Sequence, residues 1–149
     1  MGIAESVLIQ CEALQLPPEL ILSVMAKETN HNPVAVSSKG AMGIMQIMPV
    51  TWDEYVKKLD LGVSRQAAFD PVVNITIGTH IVKDLYEFYK RKTKTEKETW
   101  KLTLSAYYSG PSDVAQRGLH SGHEKYVSDI FETQRRYAQR LKSEEGMLD

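Results

Sequence analysis

The sequence predicts a mostly α-helical protein, and three observations support this prediction. Apolar residues recur every three or four positions through most of the chain, the spacing that places them on one face of an α-helix. No segment keeps the apolar–polar alternation of a strand, although residues 102–104 are locally ambiguous. Prolines stand at the boundaries of the periodic segments, where they start or end helices. We therefore expect one helical domain that covers residues 1–149.

The first two predicted helices are separated by the pair Pro17-Pro18. The second helix runs from residue 18 to about residue 30, with proline in its first turn, where the missing N–H costs little. The first helix is marked by the apolar residues Ile3, Val7, Leu8, Cys11 and Leu14. The second is marked by Leu20, Ile21, Val24 and Met25.

The later helices follow a loop, residues 31–43, that is rich in Asn, Ser and Gly. A short helix is predicted to begin at Thr51, a good N-cap, and to continue through residues 53–59. A long helix follows Asp70-Pro71, and two more complete the chain. The apolar residues that mark these three are Val73, Ile77, Ile81, Leu85 and Phe88, then Trp100, Leu102, Leu104 and Tyr107, and finally Tyr126, Ile130, Phe131, Tyr137 and Leu141.

Composition narrows the functional classes. The chain of 149 residues can bury a sizeable core, and its net charge of −1 offers no argument for nucleic acid. The single Cys11 excludes an intrachain disulfide and is expected to be a small buried hydrophobe. No apolar stretch is long enough to span a bilayer, and the first residues lack a signal peptide. We therefore expect either a protein that crosses no membrane by the signal-peptide route or a chain whose leader has been removed.

Glu28 is the principal candidate for catalysis. It follows Val24 by four residues and Met25 by three, so it falls on the apolar face of the second helix. Burial raises the pKa of a carboxyl group, which then holds a proton near neutral pH and can donate it. The residue before Pro33 is pushed away from helical angles, so the helix is expected to end shortly after Glu28.

Residues 37–49 are too apolar for an ordinary surface loop and too rich in glycine for a plain helix. Gly40 and Gly43 allow this segment to fold back over the end of the second helix. Gln46 then offers an amide for a polar ligand, while Met45 and Met48 offer adaptable apolar surface. The alternative is a methionine-rich hairpin that only fills the core, with Gln46 at its rim.

Two further features have plain structural explanations. The basic run at residues 90–94, with Lys97 and Lys101, is expected to be a solvated helix end, although it could attract an anionic polymer. The four histidines show no metal-ligand spacing, and the residues between His120 and His123 look like a loop. We therefore expect no metal site.

Four segments between about residues 16 and 131 together form a sequence signature, in which each segment follows the last in a set order. The first contains Glu28, Asn32-Pro33, Ala35, Ser37, residues 40–46, Met48-Pro49 and Thr51. The others are residues 70–75 with Gly78, residues 105–111 and residues 124–127. This set resembles the lytic transglycosylase family of soluble lytic transglycosylase type. The resemblance implies a goose-type, lysozyme-like helical domain with a catalytic cleft.

The resemblance also implies roles for individual residues. Glu28 would be the single catalytic acid and base. Ser37 and Gln46 would bind sugar by hydrogen bonds, with Met48 on the cleft floor. Tyr107 would place its hydroxyl near Glu28, and Tyr126 would close the other side, although both tyrosines could instead be core residues. The sequence departs from the family at Thr29, where Ser is usual, and at Tyr108, where Asn is usual.

The reaction implied is non-hydrolytic cleavage of the β-1,4 bond between N-acetylmuramic acid and N-acetylglucosamine in peptidoglycan, with 1,6-anhydro products and no cofactor. Residues 29–49 contain no Asp or Glu that could serve as a second carboxylate. One alternative is a goose-type lysozyme-like muramidase that hydrolyses the same bond with a distant Asp. Another is a peptidoglycan-binding or structural module without activity. We expect a monomer that acts on glycan strands in the periplasm or cell wall, without nucleic acid as a partner. The resemblance then implies a phage virion or lysis-associated protein, a secretion-associated protein, or a chain whose leader has been removed.

Overall fold

The computed structural model describes residues 1–148 and confirms the mostly α-helical prediction. The described residues form seven α-helices and one 3₁₀ helix: α1 Ile3–Leu14, α2 Pro18–Thr29, α3 Pro49–Lys58, the 3₁₀ helix Arg65–Phe69, α4 Pro71–Lys90, α5 Glu96–Ser109, α6 Pro111–Arg117 and α7 Ser121–Leu148. Residues 102–104, ambiguous in the sequence, are helical. Within residues 1–148 the β-type pairing consists of two isolated antiparallel bridges, Val36 with Met42 and Met42 with Ile47.

Two predicted boundaries are wrong in detail, and the end of α2 lies where predicted but has a different cause. Helix α2 ends because Asn30 and His31 adopt left-handed angles, with φ of 51° and 63°, and not because of Pro33. Helix α3 starts at Pro49 instead of opening at Thr51, since proline is already suited to the first helical position. Helix α7 starts at Ser121, so the residues between His120 and His123 belong to its first turn and not to a loop.

Helix α4 is the central element, and it packs against α1, α3 and α5. It begins as predicted at Asp70-Pro71, where the Asp70 carboxylate accepts a hydrogen bond of 2.9 Å from the N–H of Val72. Because other helices surround it, α4 buries a second face that the predicted stripe does not include. The residues of this second face are Asn74, Ile75, Gly78, Thr79, Val82, Tyr86 and Tyr89. Phe88, at the end of the predicted stripe, remains 49% exposed.

The main hydrophobic core lies between α1, α2, α4, α5 and α7. Helix α2 contributes all four residues of its predicted stripe, Leu20, Ile21, Val24 and Met25. Cys11 is buried there as predicted, whereas Leu8 of the same predicted stripe is exposed. A second cluster lies under α3 and contains Met42, Ile47, Trp52, Ala68 and Ile77. The chain between α2 and α3 therefore contributes to both clusters, which places it firmly beside the end of α2.

No helix within residues 1–148 combines the length and apolar composition that crossing a bilayer requires.

Candidate active site

Glu28 lies in the last turn of α2 and is partly buried. Its Oε1 accepts a hydrogen bond of 2.6 Å from the hydroxyl of Tyr126. Burial raises the pKa of the Glu28 carboxyl group, while the Tyr126 bond and the charge of Lys27 lower it by less. The rise predicted from the position of Glu28 on the apolar face is confirmed. The carboxyl group therefore keeps its proton to a higher pH than an exposed glutamate does.

Tyr126 reaches Glu28 from α7, and only 3% of it is exposed. Burial, followed by the negative charge of Glu28, raises the pKa of the Tyr126 phenol well above its ordinary value. The phenol therefore stays protonated and acts as the donor to the carboxylate. A donor held at this distance orients the carboxyl group and stabilises its ionised form.

Tyr107 contacts the loop between α2 and α3 instead of bonding to the acid. Its hydroxyl donates a hydrogen bond of 2.5 Å to the backbone carbonyl of Met45. Burial and the charge of Glu28 raise the pKa of Tyr107, so this phenol also stays protonated. The structure thus gives the two predicted tyrosines different partners: Tyr126 bonds Glu28 directly, and Tyr107 fixes the chain beside it.

The segment of residues 35–48, here called the glycine loop, contains one position that only glycine can occupy. Gly43 has a φ of +79°, and its N–H donates to the carbonyl of Ala35 at 2.8 Å. A Cβ atom at Gly43 would lie 2.2 Å from Nδ2 of Asn74 and 2.3 Å from the carbonyl oxygen of Ala68. The glycine allows the loop to approach α4 closely enough to be held by it.

Asn74 of α4 is the residue that holds the glycine loop, and it is fully buried. Its Oδ1 accepts from the N–H of Met45 at 3.0 Å, and its Nδ2 donates to the carbonyls of Met42 at 3.1 Å and Ala68 at 2.9 Å. The sequence pattern predicted no role for Asn74. The sequence did contain a signal for this role, since Asn74 is a polar residue within an apolar helix. A polar group that is buried needs hydrogen-bond partners.

Two further contacts fix the loop against the end of α2. The Thr29 hydroxyl donates to the carbonyl of Ile44 at 2.9 Å, so the residue next to Glu28 ties the helix to the loop. Met45 is fully buried and packs on Gly78, where a Cβ atom would lie 2.4 Å from the methionine sulfur. The expectation that Met45 offers exposed surface is wrong, because the close approach of α4 encloses it.

The remaining predicted residues, Ser37, Gln46 and Met48, belong to the glycine loop. Ser37 accepts a hydrogen bond of 3.0 Å from the N–H of Ala41 and so closes a turn. Gln46 has a φ of +56°, and its Nε2 donates to the carbonyl of Gly43 at 3.0 Å. Its amide nitrogen is therefore engaged inside the loop, which leaves the amide oxygen for a ligand. Met48 is 44% exposed, so of Met45 and Met48 it is Met48 that presents apolar surface to solvent.

Tyr108 lies next to this group on the other side of Tyr126. Its ring packs on the Tyr126 ring, with centroids 4.6 Å apart and planes inclined by 31°. It also meets the His123 ring edge-on, with centroids 5.8 Å apart. Half of Tyr108 is exposed, at 50%.

The sequence did not predict that Asp113 would join His120 and His123, whose possible ligand atoms all lie within 4.8 Å of one another. The hydrogen bonds of His123 do not suit a metal. Its Nδ1 accepts from the N–H of His120 at 3.1 Å, so the proton of the neutral ring is on Nε2, which lies 2.7 Å from Ser109 Oγ. A metal on Nε2 would require the proton on Nδ1, facing another donor.

The chain is similar in sequence to curated proteins. Two curated relatives, each named membrane-bound lytic murein transglycosylase C, come from Yersinia pestis (strain Pestoides F) and Yersinia pseudotuberculosis. Each is 32% identical over 125 residues, which cover 76% of this chain and 35% of the relative. The chain therefore spans about a third of the length of these relatives.

Two solved structures share the fold. An inactive mutant of lytic transglycosylase Slt from Pseudomonas aeruginosa gives a TM-score of 0.78 at 21% identity, over 93% of this chain and 24% of that one. The 70 kDa soluble lytic transglycosylase of Escherichia coli gives 0.77 at 22% identity, over 92% and 24%. The predicted lysozyme-like helical class is confirmed. Residues 7–130 match the family model described as the transglycosylase SLT domain, and the chain belongs to this family.

Proposed function

We propose that this chain is a peptidoglycan lytic transglycosylase that cleaves the β-1,4 bond between N-acetylmuramic acid and N-acetylglucosamine. The observation that carries the proposal is the environment of Glu28: a partly buried carboxyl group, hydrogen-bonded to Tyr126, at the end of a helix and beside a fixed loop. Family membership supports the same activity, and so do relatives named as murein transglycosylases.

The lack of acidic residues in the chain that directly follows Glu28 favours transglycosylation over hydrolysis. Ordinary glycoside hydrolysis uses two carboxyl groups, of which one activates water or attacks the sugar. The side chain that bonds Glu28 is Tyr126, whose hydroxyl donates to Oε1, and residues 29–49 beside it contain no Asp or Glu. Glu28 would therefore work alone, as acid and then as base, on a substrate that supplies its own nucleophile.

The proposed steps balance without water. Protonated Glu28 donates its proton to the bridging oxygen, the bond between that oxygen and the muramoyl C1 breaks, and N-acetylglucosamine leaves with a free hydroxyl. The acetamido oxygen of the muramoyl residue stabilises the cationic C1. Ionised Glu28 then takes the proton from the C6 hydroxyl, whose oxygen bonds to C1 and closes the 1,6-anhydro ring. The nucleophile and C1 belong to one sugar, which removes the entropic cost of a bimolecular step.

The surrounding side chains would support these steps in different ways. Tyr126 donates to Glu28 and stabilises the carboxylate that forms after the first proton transfer. Tyr107 fixes the Met45 carbonyl and with it the wall of the cleft. Ser37 and Gln46 would hydrogen-bond the sugar, and the exposed Met48 would contact its apolar face. No cofactor takes part in this scheme.

We further infer that residues 1–149 form one catalytic domain that acts as a monomer on glycan strands in the cell wall. The family match from residue 7 to residue 130 supports the single domain. The relatives' names, which refer to murein, support the cell wall as the place of action.

Digestion of purified peptidoglycan tests the proposal. Mass spectrometry should find muropeptides about 18 mass units lighter than reducing-end products, a difference of one water. Glu28→Gln should abolish turnover, whereas Glu12→Gln, on an exposed face of α1, should leave it unchanged. Products with reducing ends would indicate a hydrolase instead. Activity of the Glu28→Gln chain within tenfold of the parent would remove Glu28 from its role.

A further inference from the structure

Tyr108 is the larger of the two departures of this chain from the family pattern, since Thr29 keeps the hydroxyl of the usual serine. An asparagine is usual at this position, and its amide can both donate and accept hydrogen bonds. Tyr108 replaces that amide with an aromatic ring at the end of α5, and the residue is 50% exposed. The substitution therefore changes the chemistry of a surface that lies close to the acid.

The Tyr108 ring is held in place from two directions. One face packs on Tyr126, with centroids 4.6 Å apart, and His123 meets it edge-on at 5.8 Å. His123 is fully buried and bonded to Ser109, so it is itself a fixed support. A tyrosine has few rotatable bonds, so contact with a ligand costs little conformational entropy. Tyr108 is thus an aromatic surface that is already in position before a ligand arrives.

This aromatic surface is one side chain away from the acid. Tyr126, on which Tyr108 packs, is 3% exposed and donates to Glu28 at 2.6 Å. A ligand whose reacting oxygen lies at Glu28 cannot reach the Tyr126 ring, because that ring is covered. The exposed part of Tyr108 therefore offers an aromatic surface to a neighbouring portion of the same ligand.

The chemistry of such a surface suits a pyranose ring. The two faces of a pyranose carry C–H groups, which pack favourably on an aromatic ring, whereas its rim carries hydroxyl groups. We propose that Tyr108 is a substrate-binding residue that packs on a pyranose ring of the glycan strand next to the bond at Glu28. This inference rests on the proposed function. It assigns to Tyr108 recognition of a sugar face where an asparagine would recognise polar atoms.

Equilibrium binding tests the inference apart from turnover. The probe is a β-1,4-linked tetramer of N-acetylglucosamine, titrated by calorimetry into Glu28→Gln chains that cannot turn over peptidoglycan. Adding Tyr108→Ala should raise the Kd about tenfold, the loss expected for one aromatic contact. Tyr108→Asn should weaken binding to a similar extent. Tyr108→Phe keeps the ring and should restore a Kd within about twofold of the parent.

Two further variants serve as controls. Phe88→Ala removes another aromatic side chain of similar exposure, 49%, from a different helix, α4, and should leave the Kd unchanged. Tyr108→Leu keeps apolar cover over Tyr126 without a flat ring, and should weaken binding about fivefold. The leucine variant decides the question if the alanine variant proves unfolded by circular dichroism.

The outcomes separate the two proposals. Binding by the parent Glu28→Gln chain that is unchanged in the alanine, leucine and asparagine variants overturns the role of Tyr108 alone. A parent chain that binds no tetramer overturns both the proposed substrate class and the inference drawn from it. Loss in the alanine variant together with equal loss in the phenylalanine variant would assign binding to the hydroxyl and contradict the ring contact.

Discussion

The hydroxyl of Tyr126 lies 2.6 Å from Oε1 of Glu28, although the two residues are 98 positions apart in the chain. Helix α7 carries the donor and α2 carries the acceptor, and these two helices pack against each other along the core. The bond combines two opposing effects on Glu28. Burial raises the pKa of the carboxyl group, and the phenol lowers it by stabilising the charged form.

Tyr126→Phe should therefore move the pH dependence of activity. Loss of the phenol removes an influence that lowers the pKa of Glu28, so the pKa should rise and the alkaline limb of the profile should shift to higher pH. The maximal rate should fall by about tenfold to a hundredfold, because a hydrogen bond to a charged group is lost. Initial rates on peptidoglycan across pH measure both effects. An alkaline limb that moves to lower pH would contradict the assignment.

Glu28→Gln should stabilise the folded protein at neutral pH. The folded-state pKa of Glu28 is raised because burial disfavours the charged carboxylate. The stability that this group contributes to the folded protein is therefore fully present below its unfolded pKa, and it is lost as pH rises through its folded pKa. A neutral amide avoids that loss. The melting temperature should exceed that of the parent at about pH 7.5 by a few degrees, and the difference should vanish near about pH 4. Calorimetry at the two pH values checks this, with Glu12→Gln as the exposed control.

Gly43→Ala should destabilise the protein much more than Gly40→Ala. Both glycines have positive φ, +79° and +90°, so both substitutions carry a backbone cost of about 1 kcal/mol. Only at Gly43 would the new Cβ meet fixed atoms, Nδ2 of Asn74 at 2.2 Å and the Ala68 carbonyl at 2.3 Å, whereas nothing lies within 4 Å at Gly40. We expect a further loss of about 2 kcal/mol or more at Gly43. Urea denaturation measures the difference, and equal losses would refute the close approach.

Asn74→Ala should loosen the glycine loop. The substitution leaves the N–H of Met45 and the carbonyls of Met42 and Ala68 without the partner that each has in Asn74. The expected loss of stability is about 3–5 kcal/mol, because buried polar groups remain unsatisfied. Hydrogen exchange should show lost protection at the Met45 amide. Asn32→Ala, at an exposed position with one local bond to Val34, should cost less than about 1 kcal/mol.

Local pattern was enough to predict most of the helices and the position of Glu28. The period of 3.6 residues relates positions only three and four apart, so Val24, Met25 and Glu28 share a face wherever α2 packs. Boundaries were less accurate where two signals competed. Helix α3 begins at Pro49 and not at the N-cap candidate Thr51. Helix α2 ends at the left-handed Asn30, three residues before Pro33.

The contacts that surround Glu28 could not be predicted from spacing. Met45 and Met48 have the same side chain and lie three residues apart, yet one is fully buried and the other is 44% exposed. Their difference depends on Gly78, which lets α4 approach Met45 from a distant part of the chain. The role of Asn74 has the same origin, since its partners come from the glycine loop and from Ala68.

The sequence by itself determined that a carboxyl group stands on the apolar face at the end of a helix, because helical periodicity is a local property of the chain. The tertiary structure alone decided which tyrosine reaches that carboxyl group: Tyr126 bonds Glu28, and Tyr107 bonds Met45. The physical reason is that a hydrogen bond needs two atoms about 3 Å apart. For residues on α2, α5 and α7, only the packing of these helices in the core sets that distance.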